Sequence, residues 1–130
     1  MAKNTIKNNN DEPINESRLV YEVMQKLGKY GAVYRTNSGA FRLPNGKYFR
    51  ALPEGFSDVM FIRPDGVTCF IECKYGRGKA TDKQTAFLAK MQGLNCRAGV
   101  AYTVADAMII CGIQEADNVL CDSGNKIEKA

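Results

Sequence analysis

Two apolar runs, Val59-Met60-Phe61-Ile62 and residues 67–74, flank the tripeptide Pro64-Asp65-Gly66. So short a turn makes the runs antiparallel neighbours, and the rest of the chain has to pack around that strand pair. Both runs hold too little polar material to be ordinary surface ribbons, yet each carries an acid. Asp58 heads the first, and Glu72 lies inside the second, in the stretch Ile71-Glu72-Cys73-Lys74. Period-two alternation sets Phe70, Glu72 and Lys74 on one face and Cys69, Ile71 and Cys73 on the other. Opposed side chains of paired strands stand about 5 Å apart, so Asp58 can approach Glu72 across the pair.

The elements around this pair follow from local signals. Asn15 reads as the N-cap of a helix over Glu16 to Leu27, with Ile14 and Leu19 at staple positions and Leu19, Val20, Val23 and Leu27 as its buried stripe. Residues 32–35 read as a short strand. Phe41-Arg42-Leu43, Pro44-Asn45-Gly46 and Lys47-Tyr48-Phe49 read as a hairpin about an Asn-Gly turn. After a basic loop over 75–80, Thr81 and Gln84 form a capping box for a helix that Gly93 ends. Residues 98–102 read as a strand, and Thr103 with Asp106 caps a last short helix to about Ile110. The expected fold class is α/β, a small mixed β-sheet flanked by helices, in the order α-β-β-β-α-β-α with the basic hairpin inserted. The expected domain covers residues 15–114, with a loose polar arm over 1–14 and a mobile tail over 115–130.

Composition narrows the chemistry. With no histidine among 130 residues, a histidine general base and a histidine-bound zinc are excluded. Ser57 and Thr81 have no activating base for covalent catalysis. The five cysteines are odd in number and contain no C-x-x-C pair, which suits reduced core thiols better than a disulfide frame. Any metal therefore sits on oxygen, the preference of magnesium or manganese. No run is long enough to cross a bilayer and no secretory leader opens the chain, so a cytoplasmic protein without a membrane partner is the expectation. The formal charge is only +4, but Lys29, Arg35, Arg42, Lys47 and Arg50 occur with no acid among them and with Tyr30, Tyr34, Phe41, Tyr48 and Phe49 interspersed. A polyanion is the simplest partner for such a segment.

Two carboxylates as close as Asp58 and Glu72 repel unless a cation or a proton lies between them. Mg2+ or Mn2+ held by Asp58, Glu72, the Cys73 backbone carbonyl and waters would settle that repulsion, with Glu16 joining from the first helix directly or through a water. Such an ion lowers the pKa of bound water and polarises a phosphate oxygen. Lys74 would orient or deprotonate the water and neutralise developing charge, Gln84 would fix the lysine or the water, and Arg77 and Lys79 would reach flanking phosphates. Plainer readings stand beside these. Acid and lysine also alternate on solvated strand faces, Glu16 also suits a helix dipole, and Gln84 also serves as a capping residue alone. Tyr48 and Phe49 read as a core pair in preference to base stackers.

Taken in order, Glu16, Gly55-x-x-Asp58, Glu72-Cys73-Lys74 and Gln84 resemble the PD-(D/E)XK nuclease superfamily, and within it the small stand-alone VRR-NUC proteins of phages and bacteria. The resemblance spans residues 15–102 and departs from the commoner Gly-x-Pro-Asp in having Ser57 before Asp58. It implies a restriction-endonuclease-like core and metal-dependent DNA cleavage in a bacterial or phage-infected host cytoplasm. Asp58 and Glu72 would be metal ligands, Lys74 the catalytic lysine, Glu16 the helical acid and Gln84 the supporting glutamine. It also implies a homodimer acting on branched DNA such as four-way junctions, with Arg35, Arg42, Lys47, Arg50, Arg77 and Lys79 on the DNA. The rival is a non-catalytic nucleic-acid-binding module of the same fold. A sequence-specific restriction enzyme has little room for a specificity element.

Overall fold

The structure is a computed structural model describing residues 15–36, 40–114 and 119–120. The expected arm, Ile14 at its staple position, and most of the expected tail lie outside those residues. The elements run α1 (Glu16–Leu27), β1 (Ala32–Arg35), β2 (Ala40–Arg42), β3 (Tyr48–Arg50), β4 (Val59–Ile62), β5 (Thr68–Cys73), α2 (Asp82–Gly93), β6 (Arg97–Ala101), α3 (Val104–Cys111), β7 (Ile113–Gln114) and β8 (Val119–Leu120). This is a mixed α/β fold in the expected order, followed by two short strands, β7 and β8, that the expected order lacks. Val119–Leu120, assigned in sequence to a mobile tail, pairs antiparallel with β7.

The main sheet has the strand order β1-β4-β5-β6; β4 is antiparallel to β1 and β5, and β5 is parallel to β6 across the α2 crossover. α1 and α3 lie on one face. Their residues Leu19, Val20, Val23, Leu27, Ala107 and Met108 pack with Val59, Phe61, Cys69, Ile71 and Cys73 in one buried cluster. α2 covers the other face, where Phe70 meets Phe56 and Phe87 edge-on at centroid distances of 5.8 and 5.4 Å. β5 is thus enclosed on both sides, which is why its burial is almost continuous along the strand. Cys69, Cys73 and Cys111 are buried free thiols. No described helix is long and apolar enough to cross a membrane.

The caps behave as local chemistry dictates. Asn15 accepts the Arg18 N–H at 2.8 Å, Thr81 and Gln84 close a reciprocal capping box, and Thr103 accepts the Asp106 N–H at 3.0 Å. α3 ends on Gly112 in the left-handed region at φ 71°. Its final carbonyls are taken by two arginines: Arg63 Nη1 donates to Cys111 O at 3.0 Å and Arg97 Nε to Ile110 O at 2.6 Å.

The hairpin has the expected register, with Phe41 opposite Phe49 and Arg42 opposite Tyr48. Only the strand bounds lie one residue further from the turn, where the Leu43 carbonyl accepts the Gly46 N–H at 2.8 Å and the Leu43 N–H donates to Lys47 O at 2.6 Å. Pro44 and Asn45 are therefore the central turn residues, and Gly46, at φ 89°, takes the bulge position after them. Proline prefers the first central position of such a turn, and that preference overrides the Asn-Gly signal. The turn joining β4 to β5 is built the same way, with Arg63 O accepting from Gly66 at 2.8 Å and Gly66 at φ 91°. The expectation of a Tyr48–Phe49 core pair is overturned: both rings are exposed, because β2 and β3 form their own two-stranded sheet.

Candidate active site

Asp58 owes its position to a clamped loop. Gly55 has φ +94°, and a Cβ there would stand 2.7 Å from the Lys83 carbonyl, so only glycine lets the loop lie against the first turn of α2. Glu54 and Lys83 pair at 2.9 Å over the same contact, and Phe56 stacks on Phe87 at 4.4 Å. Ser57 is buried; its Oγ donates to Val59 O at 3.2 Å, and its carbonyl accepts from Thr36 Oγ1. These contacts supply the rigidity that a proline before the acid would otherwise give. Thr36 N–H donates to the Asp58 carbonyl at 2.9 Å, extending the β1 ladder by one residue.

The register Val59↔Ile71 carries Asp58 opposite Glu72. Asp58 Oδ2 accepts the Cys73 N–H at 2.9 Å, which points the carboxylate at the end of β5. Glu72 is only 2% exposed, and its Oε2 lies 3.6 Å from Lys74 Nζ. Its Oε1 is buried with no hydrogen-bond partner. Burial pushes the Glu72 carboxyl up to about 7. The neighbouring Asp58 carboxylate adds to this rise, and Lys74 opposes it. The Cys73 thiol is pushed up to about 12 by burial and by the negative charges of Asp58, Glu72 and Glu16, with Arg35 opposing.

The structure thus brings together Asp58, Glu72, Cys73 and Lys74. Glu16 is exposed in the first turn of α1; its charge reaches the Cys73 thiol, on the face of β5 opposite Glu72. Among the described residues no three His, Cys, Asp or Glu side chains form a ready metal cage. Gln84 is committed to its cap, where Oε1 accepts the Thr81 N–H at 2.8 Å, so only its amide nitrogen remains for a supporting role. Arg35 stands at the end of β1 near Cys73, whereas Arg42, Lys47 and Arg50 belong to the separate hairpin. Arg77 and Lys79 are exposed in the loop after β5, which Tyr102 Oη anchors through a 2.8 Å bond to the Gly78 carbonyl. Tyr102 went unnoticed in the sequence, as did buried Arg63. An arginine beside Pro-Asp-Gly looks like turn surface, and only the Asp65 carboxylate, which takes its Nε at 3.0 Å, hints otherwise.

The residues present fit a small hard cation. A buried Glu72 oxygen without a partner, beside the Asp58 carboxylate that the Cys73 N–H holds in place, is a position that a proton or a metal would satisfy. Mg2+ is commonly held by one or two carboxylates, the remaining positions going to water and substrate phosphate, so the lack of a third acid suits it. The chain matches no known protein family and no curated protein.

Proposed function

We propose that this protein is a Mg2+- or Mn2+-dependent deoxyribonuclease with a restriction-endonuclease-like core of the VRR-NUC type, acting as a homodimer on branched DNA such as four-way junctions. The observation that carries the reading is Glu72: a carboxylate sealed inside the sheet, one oxygen orphaned, between Asp58 and Lys74. Stability alone does not favour burying such a group, and its burial beside two other charged groups points to use.

A bound divalent cation would supply Lewis acidity and a more acidic water. The chain's own residues do the rest. Asp58 and Glu72 provide the oxygen ligands, and the Cys73 N–H fixes the Asp58 carboxylate so that it needs no reorganisation. Lys74, held by Glu72, offers a cation at the mouth of the site for the charge that builds on the non-bridging phosphate oxygens. Arg77 and Lys79 hold the backbone on either side of the scissile bond, on a loop whose position Tyr102 fixes.

Labelled four-way junctions and linear duplexes incubated with each metal test this. Cleavage should require Mg2+ or Mn2+ and fall by roughly 10³-fold or more in Asp58→Asn and in Glu72→Gln, with the fold intact. Full activity in either variant would falsify the site assignment, and DNA binding without cutting in either metal would favour the non-catalytic module.

A further inference from the structure

The β2–β3 hairpin exposes what a folded chain ordinarily hides. Phe41 and Phe49 are directly opposed across the ladder, so their rings share one face of the ribbon. They are 58% and 52% exposed. On the other face Arg42 opposes Tyr48, with its guanidinium 5.5 Å from the ring centroid and Nη1 3.4 Å from the hydroxyl; that ring is 66% exposed. Apolar rings left in water at such density mark an interaction surface. Its electrostatics select the partner. Residues 29–50 hold five lysines and arginines and no carboxylate. A two-fold contact between copies would set Arg42 and Lys47 against themselves with no acid to pair, which disfavours a second copy as occupant. A strand of nucleic acid satisfies both properties, offering flat apolar bases for the rings and phosphates for the cations.

We propose that the β2–β3 hairpin is a stacking platform for unpaired nucleobases, with Phe41 and Phe49 against the bases and Arg42 and Lys47 on the adjoining phosphates. The π-faces of bases inside a duplex are covered by their neighbours, so the substrates selected are DNAs with unstacked bases: single strands, flaps and open branch points. The proposal rests on the reading of DNA as the partner and is independent of the chemistry at Asp58 and Glu72.

The test is fluorescence anisotropy with the full chain carrying Asp58→Asn, which keeps the DNA intact. The probes are a single-stranded oligonucleotide, a four-way junction with unpaired bases at its centre, and a duplex of equal length, each titrated over a salt series. Adding Phe41→Ala and Phe49→Ala should weaken binding of the first two by about tenfold or more and of the duplex less than about twofold, with the salt slope unchanged because no cation is lost. Phe41→Trp with Phe49→Trp should restore the affinity. Adding Arg42→Ala and Lys47→Ala should weaken all three and lower the slope by roughly 0.7–0.9 per cation removed. Equal weakening of all three DNAs by the phenylalanine pair, or none, overturns the proposal, even if the unaltered chain cuts DNA. Unchanged DNA binding together with a dimer that becomes a monomer assigns the rings to a second copy and also overturns it. Selective loss of unpaired-DNA binding supports the platform even if no metal induces cleavage, so the two readings fail separately.

Discussion

The two hairpins of this molecule are closed by the same device. Leu43-Pro44-Asn45-Gly46 and Arg63-Pro64-Asp65-Gly66 each bond the first carbonyl to the glycine N–H, put the glycine near φ +90°, and use the Asn or Asp side chain to accept the N–H of the residue two positions on. Beyond the turn they diverge completely. The β4–β5 ladder, covered by α1 and α3 on one face and α2 on the other, encloses a glutamate and an arginine. The β2–β3 ladder leaves three aromatic rings in solvent. Local turn chemistry makes a hairpin, and the layers laid over it decide whether charge or hydrophobe ends up inside.

Altering the enclosed hairpin should have the larger consequences for the fold. Arg63 is 1% exposed, donates to both Asp65 oxygens and to the Cys111 carbonyl, and holds the Asp65 carboxyl below its ordinary range. Arg63→Ala strips a part-buried carboxylate and a helix end of their partner. It should cost about 3 kcal/mol or more in chemical denaturation; a cost below about 1 kcal/mol would mean that water serves these groups equally well.

Glu72→Gln should act in the opposite direction. The folded-state pKa of about 7 lies above the ordinary 4.5, so the folded protein binds the extra proton. The resulting stabilisation is complete below pH 4.5 and is lost as pH rises through 7. At pH 8 the neutral glutamine should therefore raise stability by about 1–3 kcal/mol and flatten the profile between pH 5 and 8. Magnesium at pH 8 should raise the melting temperature of the parent and leave Glu72→Gln unmoved. A parent profile that already is flat across this window would show that Glu72 is not desolvated.

Gly55→Ala tests the loop that delivers Asp58. With φ at +94° and the Lys83 carbonyl 2.7 Å from the new methyl group, it should lose about 1–3 kcal/mol and, by displacing the carboxylate, any metal-dependent stabilisation with it. Unaltered metal response would show that the loop does not position the acid. The smallest effect belongs to the open hairpin. Phe41→Ala with Phe49→Ala should shift stability by no more than about 0.5 kcal/mol in the same denaturation assay, since no described element packs over these rings. A loss of 2 kcal/mol would place them in a core after all and erase the contrast.

Much of this architecture could be read in advance. The three N-caps Asn15, Thr81 and Thr103, the buried stripe of α1, and the alternation that sets Glu72 and Lys74 on one face of β5 are all local in origin. The proximity of Asp58 to Glu72 follows from the turn length and the register it imposes. Less legible were the residues whose role is set from elsewhere: Arg63 reaching α3, Tyr102 pinning the loop at Gly78, and Gly55 lying against α2. Glu16 has the spacing to share the site, but at the start of α1 it stays in solvent.

Residue order alone determined where each helix begins, which strands are joined by tight turns, and which side chains share a face, because caps, turns and pleats depend on neighbours a few positions away. Whether a face is wet or dry was decided only in three dimensions. Desolvation is a sum over everything packed nearby, and those atoms come from segments far apart in the chain. For that reason an acid such as Glu72 is carried to a pKa near 7 beneath α2, while Phe41 and Phe49, closed by the same kind of turn, remain in water.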